Sequence, residues 1–326
     1  MISVNRITYN NYSSRDFNIL CDLAFDSDNG DTDSYLNREA VASESYNGKI
    51  KRVHNFKYTD TLQLHFTFIK EGFGDFTIAE QRRILTWLTS KSTPSFLSVY
   101  YDDTNAVEYE VLGAFTEVTS YKLANNRTVG YVATFESVSP FAFSDLHTQT
   151  IDSRNASDKS LVIQVNTDDP ESPLYPKITI VQNSVTSVVE VNHAMTDSDT
   201  WLDGTVYHYS AGNKYYWLDS SGNKQTSSSN TSGIETTSAA IKNVYTDNSN
   251  TTTVANCYVK NNIKGETVVL DGANRVVSSS RANGRIFGDD FSWNWIPFAE
   301  GNNTVSVEGN CVVTIEWREP IKCGEY

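Results

Sequence analysis

Between Thr61 and Lys70 the chain reads TLQLHFTFIK, and its apolar residues recur at every second position. Leu62, Leu64, Phe66 and Phe68 fall on one side, and Thr61, Gln63, His65 and Thr67 on the other. A period of two is the geometry of a strand, whose successive side chains point to opposite faces, so this segment buries one face and wets the other. Weaker versions of the pattern recur in FNILCDLAF, KIKRVHNF, FLSVYY, VEYEVL, AFTEVTSY and GYVATFESV. They return later in SLVIQVN, YPKITIVQ, VTSVVEV, ETVVLDGANRVV and NTVSVEGNCVVTIEW. A chain patterned this way predicts a mainly β protein built of packed sheets, with β-sandwiches as the economical architecture for many short strands separated by turn residues. His65 lies on the polar side of its strand and reads as a solvated or edge histidine rather than a catalytic one.

One stretch breaks the alternation. In DFTIAEQRRILTWLTSKSTPSFLSVYYDD, Thr77 is followed three residues on by Glu80, the spacing of a capping box that satisfies two orphan N–H groups ahead of an apolar run. Pro94 stops the helix, because the residue before a proline is pushed to extended geometry. The expected buried stripe is Ile78, Leu85 and Leu88 with Ile84 beside them, while Arg82, Arg83, Thr86 and Thr89 point elsewhere.

At 326 residues the chain is long for one domain of about 150 residues. The junction is SVSPFAFSDLHTQTIDS, where Pro140 ends a strand and alternation lapses. This divides the chain into 1–147, a β-sandwich with one packed helix, and 148–326, a second β-sandwich. Within the first, Ser27 to Asn47 has no periodicity and is read as an arm or long hairpin that needs another surface to settle on. Its DSDNGD start invites a calcium loop, but counting from Asp26 the sixth and twelfth positions hold Asp31 and Asn37, where an EF-hand needs Gly and Glu. It is read as a solvated turn. Within the second, Gly309-Asn310 separates two alternating runs and predicts a tight hairpin. Asp197 to Ala255 is an insertion: a hairpin turning at Ala211 to Lys214, then a Ser-, Thr- and Asn-rich stretch read as surface, linker or repeat-like strand rather than core.

Composition narrows the function. The net charge of -14 is the wrong sign for a phosphate-binding surface, which needs clustered Lys and Arg; it suits solubility, or a wall past which DNA moves without sticking. Cys21, Cys257, Cys311 and Cys323 have neither C-x-x-C spacing nor a neighbouring histidine, so a zinc site or disulfide framework is not expected. No apolar run approaches the roughly 20 residues of a membrane span. The start MISVNRITYNNYSS lacks a signal-peptide pattern, an expectation of synthesis in a cytoplasm with release on lysis. Nucleotide-binding, nucleophile-elbow and metalloprotease motifs are absent, so no catalytic residue, metal ligand or cofactor is assigned. A glycosidase, needing only two carboxylates at a set separation, stays open as a lesser alternative. The most suggestive chemistry is aromatic: Tyr207 and Tyr209 share one face of a strand, Tyr215 and Trp217 a face of the next, and Trp201 lies just upstream. Such rings stack on sugars or fill a partner's pocket, or else form the insertion's own small core.

Several segments carry a family likeness. ITYNNYSSRDFNI, RRILTWLTSKSTPSFLSVYYDD, FESVSPFAFS and the tail KGETVVLDGANRVV...IFGDDFSWNWIPFAEGNNTVSVEGNCVVTIEWREP, taken in order and spacing, resemble the distal tail protein (Dit) family of long-tailed, non-contractile phages. The likeness covers most of 1–148 and 256–320. It implies a non-enzymatic virion protein at the tail tip, whose amino-terminal sandwich assembles as a homohexameric ring. A galectin-like outer sandwich, similar to carbohydrate-binding modules, would project from it. The implied partners are further copies of itself, the tail tube protein, the tail-tip protein, and a receptor-binding protein or a host cell-wall glycan, with DNA passing through the channel. The insertion departs from the simplest form of the family. A free-standing carbohydrate-binding adhesion protein is the alternative reading.

Overall fold

The structure, a computed structural model, describes residues 2–25, 38–44, 51–59, 61–101, 106–123, 126–154, 158–183, 188–201, 205–219, 221–232, 236–249, 251–281 and 284–322. The chain divides into two compact units, one formed by Met1–Asp145 with Arg318–Tyr326, the other by Leu146–Trp317. The last strand of the chain therefore belongs with the first, an arrangement that local alternation does not reveal.

In the first unit the strands are β1 (Ile2–Val4), β2 (Arg6–Tyr9), β3 (Tyr12–Ser13), β4 (Ile19–Phe25), β5 (Arg38–Glu44), β6 (Lys51–Tyr58), β7 (Gln63–Lys70), β8 (Ser95–Tyr100), β9 (Tyr109–Leu123), β10 (Arg127–Ser137) and β11 (Ala142–Phe143). Antiparallel pairing in the order β1-β4-β7-β10-β9-β8-β2-β3 makes one large sheet, which β11 joins at β9 and Pro320–Ile321 extends at β11. The segment that most clearly announces a strand lies near its middle: Leu62, Leu64, Phe66 and Phe68 are buried, with Phe66 and Phe68 stacked at 5.7 Å. His65 faces Thr134 across β10, its Nδ1 3.2 Å from the hydroxyl. The two segments VEYEVL and AFTEVTSY are one strand, β9, and Gly113 is required inside it: a Cβ there would lie 2.1 Å from the Glu136 carbonyl oxygen.

Helix α1 (Ile78–Thr89) begins as expected. The Thr77 hydroxyl accepts from the Glu80 N–H at 3.3 Å, and the Glu80 carboxylate accepts from the Thr77 N–H at 2.7 Å. Lys70 donates to the same carboxylate at 2.8 Å and, with the Thr77 N–H, holds its pKa down to about 2. The buried stripe, however, is Ile84, Trp87 and Leu88; Ile78 is 86% exposed and Leu85 39%. At about 100° per residue, positions 84, 87 and 88 cluster on one face, and Ile78 and Leu85 lie about a third of a turn away. Trp87 displaces them because its ring fills the core and its indole N–H finds the Tyr9 carbonyl at 2.7 Å, the pairing a buried tryptophan needs.

The second unit is a sandwich. Its strands are β12 (His147–Asp152), β13 (Asp158–Val165), β14 (Lys177–Gln182), β15 (Val188–Glu190), β16 (Val206–Tyr209), β17 (Lys214–Leu218), β18 (Lys224–Ser227), β19 (Thr236–Thr246), β20 (Thr252–Ile263), β21 (Thr267–Asp271), β22 (Val276–Ser279), β23 (Gly301–Glu308) and β24 (Cys311–Trp317). A five-stranded sheet, β12-β24-β14-β21-β22, and a four-stranded sheet, β13-β23-β19-β20, share one core. Ile178, Ile180, Leu270, Val313 and Ile315 come from one side, and Ile163, Val165, Ile241, Val259, Val305 and Val307 from the other.

Two expectations are overturned here. Gly309-Asn310 does not close a hairpin: β23 and β24 belong to different sheets, and the turn carries the chain from one layer to the other. Gly309 has φ of 115° and lies against the Ser238 carbonyl, where a Cβ would come within 2.4 Å, so glycine serves this crossing rather than a primed turn. Nor is the Ser/Thr/Asn-rich stretch peripheral. Thr236–Thr246 is a central strand, bonded to β20 and β23 on its two sides. Its inward residues are Ala239, Ile241 and Asn243, too small or too polar to stand out as a stripe. Asn243 is buried because its amide donates to the Pro297 carbonyl at 2.8 Å and to Asn303 at 3.1 Å.

An ionic knot fastens the segment after β22. The Glu266 carboxylate, fully buried, accepts from Arg281 at 3.0 Å, Arg285 at 2.9 Å and the Ser279 hydroxyl at 2.6 Å. Arg285 continues to Asp290 at 3.0 Å and Asn262 at 2.7 Å. Burial pushes the Glu266 pKa up, but the Ser279 and Ile263 hydrogen bonds and the two guanidinium charges outweigh it and hold the group below its ordinary value.

Candidate functional site

Three surfaces carry chemistry suited to partners. The first is the ribbon β5–β6, a two-stranded sheet of its own running from Arg38 opposite Tyr58 to Glu44 opposite Lys51. Its first strand lies within the unpatterned arm, whose residues 27–37 and 45–47 lie outside the described residues, and its second lies in the KIKRVHNF region. Val41, Val53 and Phe56 are exposed by about half. Arg38 holds its guanidinium 5.7 Å from the Phe56 ring and 5.8 Å from Tyr58, and Tyr58 meets Phe141 edge-on at 5.0 Å. The Glu39–Lys57 pair is exposed at both ends and adds little. An isolated two-stranded ribbon is marginal in water, and exposed apolar residues on one make it a candidate surface for a partner.

The second surrounds helix α1. Phe17 stacks on Trp87 at 4.6 Å and 18°, Arg83 lies 5.5 Å from the Phe17 ring, and Asn10 ties the Trp87 carbonyl at 3.2 Å. A cleft of about 360 Å³ opens above these rings, lined also by Tyr12, Arg82 and Lys91. Among the described residues three cations and no carboxylate line it, on a chain of net charge -14. It suits an acidic or aromatic side chain of a partner.

The third is the separate sheet β15-β16-β17-β18, which carries Tyr207, Tyr209, Tyr215 and Trp217, with Trp201 in the loop ahead of β16. Register places Tyr207 opposite Tyr216 and His208 opposite Tyr215. Directly paired residues share a face. Tyr207 and Tyr209 are therefore on one face, Tyr215 and Trp217 on the other, and the four rings do not form a single platform. Tyr207 and Tyr216 are buried on one face and Val206 and Trp217 on the other; Trp201, Tyr209 and Tyr215 are half-buried. Trp201 meets Tyr216 edge-on at 5.8 Å, donates its indole N–H to the Thr196 carbonyl at 2.8 Å, and has the Lys224 ammonium 5.1 Å from its ring. Tyr215 stacks on His208 at 4.2 Å, and His208 Nδ1 is 2.7 Å from Glu190. Tyr216, absent from the sequence candidates, lies opposite Tyr207 and meets Trp201, so it joins those two rings on one face. Gly212 lets the turn close against Tyr209, where a Cβ would come within 2.7 Å of the ring.

The thiols of Cys21, Cys257 and Cys311 are buried and free, with burial pushing those of Cys21 and Cys257 up to about 12; Cys323 lies outside the described residues. Among the described residues no three His, Cys, Asp or Glu side chains gather as metal ligands would.

Two family models match the sequence. One, described as a phage tail protein N-terminal domain, covers residues 3–139, and the other, described as a phage tail C-terminal domain, covers 200–317. Together they span well over half of the chain. Among solved structures, the fold is similar to that of the Dit protein of phage SPP1, presented as a paradigm of the hub adsorption apparatus in phages infecting Gram-positive bacteria. The TM-score is 0.52 at 11% identity, over 96% of this chain and 98% of that one. A chain of the phage P2 baseplate, in its activated conformation with calcium, aligns over 93% of this chain and 92% of its own, with a TM-score of 0.41 at 10% identity. No curated protein matches the sequence.

Proposed function

We propose that this chain, which belongs to a family of phage tail proteins matched in both its N-terminal and C-terminal parts, is the distal tail protein of a long-tailed phage. Its role is structural. The first unit assembles as a homohexameric ring at the tail tip, joining the tail tube to the tail-tip or baseplate proteins, with DNA passing through the ring without specific binding. The observation that carries this reading is the Dit fold followed over nearly the whole of both chains. The half-exposed apolar residues of β5–β6 support it, since a ring needs each subunit to offer a face that the next one covers.

The second unit faces outward in this reading and neighbours the host-adsorption apparatus. Trp201, Tyr209 and Tyr215 are its contact residues toward a receptor-binding protein or a host cell-wall glycan, and Tyr207 and Trp217 hold the hairpin that presents them. The protein is a non-catalytic part of the virion. Light scattering on the purified chain tests the central claim: a mass near six chains and ring-shaped particles by electron microscopy are expected. A strict monomer at high concentration, with no ring at the tips of purified tails, would overturn it.

A further inference from the structure

Away from the three surfaces above, the second unit carries a cleft of about 390 Å³ lined by the rings of Tyr175 and Tyr245, by Pro170, Pro173 and Pro297, and by the carboxylate of Asp247. We propose that this cleft is a binding site for a primary alkylammonium ion, its ammonium group held by Asp247 and the two tyrosines and its stem lying along the prolines.

The walls are fixed before any ligand arrives. Leu174 and Phe298 exchange backbone hydrogen bonds at 2.9 and 2.7 Å, which locks the loop ahead of β14 to the segment containing Pro297. The Asn248 amide donates to the Glu171 carbonyl at 2.6 Å, tying the β19–β20 turn to the same loop. The Arg275 guanidinium does not line the cleft and lies 3.7 Å from the Tyr175 ring centroid and 5.5 Å from that of Trp295. Tyr175 is braced by it, and its ring already attracts a cation through the negative face of its π system.

Charge then selects the ligand class. Among the described residues Asp247 is the one charged side chain that lines the cleft. Its two oxygens have different tasks. Oδ1 holds the turn, accepting from the Ser249 N–H at 3.0 Å, the Ser249 hydroxyl at 2.5 Å and the Thr251 hydroxyl at 3.0 Å. Oδ2 accepts from the Thr253 hydroxyl at 3.0 Å, one donor among the described residues, and so keeps a lone pair for another. The hydroxyls of Ser249, Thr253 and Thr251 hold the carboxyl well below the usual carboxylate range, which leaves it charged at neutral pH. Burial pushes the Tyr245 pKa up, and Tyr175 and Asp247 push it further, as a neighbourhood of negative potential does. An anion is repelled there, and a neutral molecule draws little from the charge. A primary ammonium group offers three N–H donors to Oδ2 and the tyrosine hydroxyls and a positive charge to the carboxylate and the rings. A quaternary ammonium has no N–H to give to Oδ2.

Saturation-transfer NMR titrations on the full chain at neutral pH test this, with n-butylammonium as the probe, n-butanol as its neutral counterpart and choline as the quaternary one. Binding of n-butylammonium with a dissociation constant of about a millimolar is expected, with n-butanol and choline each at least about tenfold weaker. Asp247→Asn keeps an oxygen for the Ser249 and Thr251 donors while removing the charge, and should weaken n-butylammonium about tenfold. Should that variant fail to fold by thermal melting, Tyr245→Leu decides, with an expected loss of about threefold. No binding of n-butylammonium, n-butanol or choline bound as tightly, or wild-type affinity in a folded Asp247→Asn or Tyr245→Leu chain overturns the proposal.

Discussion

Glu110 and Arg318 stand 208 residues apart in sequence and form an ion pair that binds the returning end of the chain into the sheet of the first unit. The Ser98 hydroxyl donates to the other carboxylate oxygen at 3.0 Å, and the guanidinium lies 4.1 Å from the Phe96 ring centroid. Replacing Arg318 by methionine leaves a nearly buried carboxylate without its counter-ion. The first unit is expected to lose about 2–4 kcal/mol, read from its calorimetric transition. Pairing the change with Glu110→Gln should recover much of that loss.

The helix stripe is tested by contrast. Trp87→Ala removes a ring at 3% exposure and should cost about 3–5 kcal/mol. Leu85→Ala, at 39% exposure, should stay within about 1 kcal/mol. Equal effects in urea titrations would sink the assignment.

Val41→Lys and Phe56→Lys place charges on the exposed ribbon β5–β6. The melting temperature of the subunit should barely move, because both positions are solvated in the single chain. The assembled mass by light scattering should fall. Intact rings from both variants would show that the ribbon is not covered in the assembly.

Acid should loosen the second unit through Glu266. Its folded pKa lies below the ordinary carboxyl value of about 4.3. Its stabilising contribution is therefore complete above that value and is lost as pH falls through the folded one. Glu266→Gln should cost about 3 kcal/mol at neutral pH by removing the buried carboxylate that Arg281 and Arg285 share, Arg285 keeping Asp290. It should also flatten the decline in melting temperature below about pH 4, and an unchanged acid limb would reject this account.

Excising Val188–Ser227, the separate aromatic sheet, should leave the sandwich folded, whereas a deletion that extends through Thr246 should unfold it. The second cut removes the strand lying between β20 and β23. Circular dichroism of the two truncated chains separates these outcomes.

The strand character of the chain was legible wherever apolar residues were large and alternated, as in Leu62 to Phe68. It was hidden in Thr236–Thr246, where the inward positions are Ala239, Ile241 and Asn243 and the outward ones are equally polar or small. The helix and its cap were readable because a capping box is local chemistry. Its buried face was not, because Trp87 owes its place to the Tyr9 carbonyl, a partner far away in sequence. Gly309-Asn310 misled for a related reason: alternation on both sides of a turn is shared by a hairpin and by a passage between two layers, and only tertiary packing distinguishes them. The aromatic residues of the third surface were found by type, but which rings are buried depended on cross-strand register with Tyr216.

The return of Arg318–Ile321 to the first unit also sets an order in time. On a ribosome, the amino-terminal sheet emerges early, yet the strand that pairs with Ala142–Phe143 is delivered only after Leu146–Trp317 has been translated. At about 5–20 residues per second, that interval is roughly ten to thirty seconds. A nascent subunit lacks Arg318 throughout it, so Glu110 waits without its counter-ion and the edge at β11 stays open. Completion of the first unit thus certifies that the second has already been made.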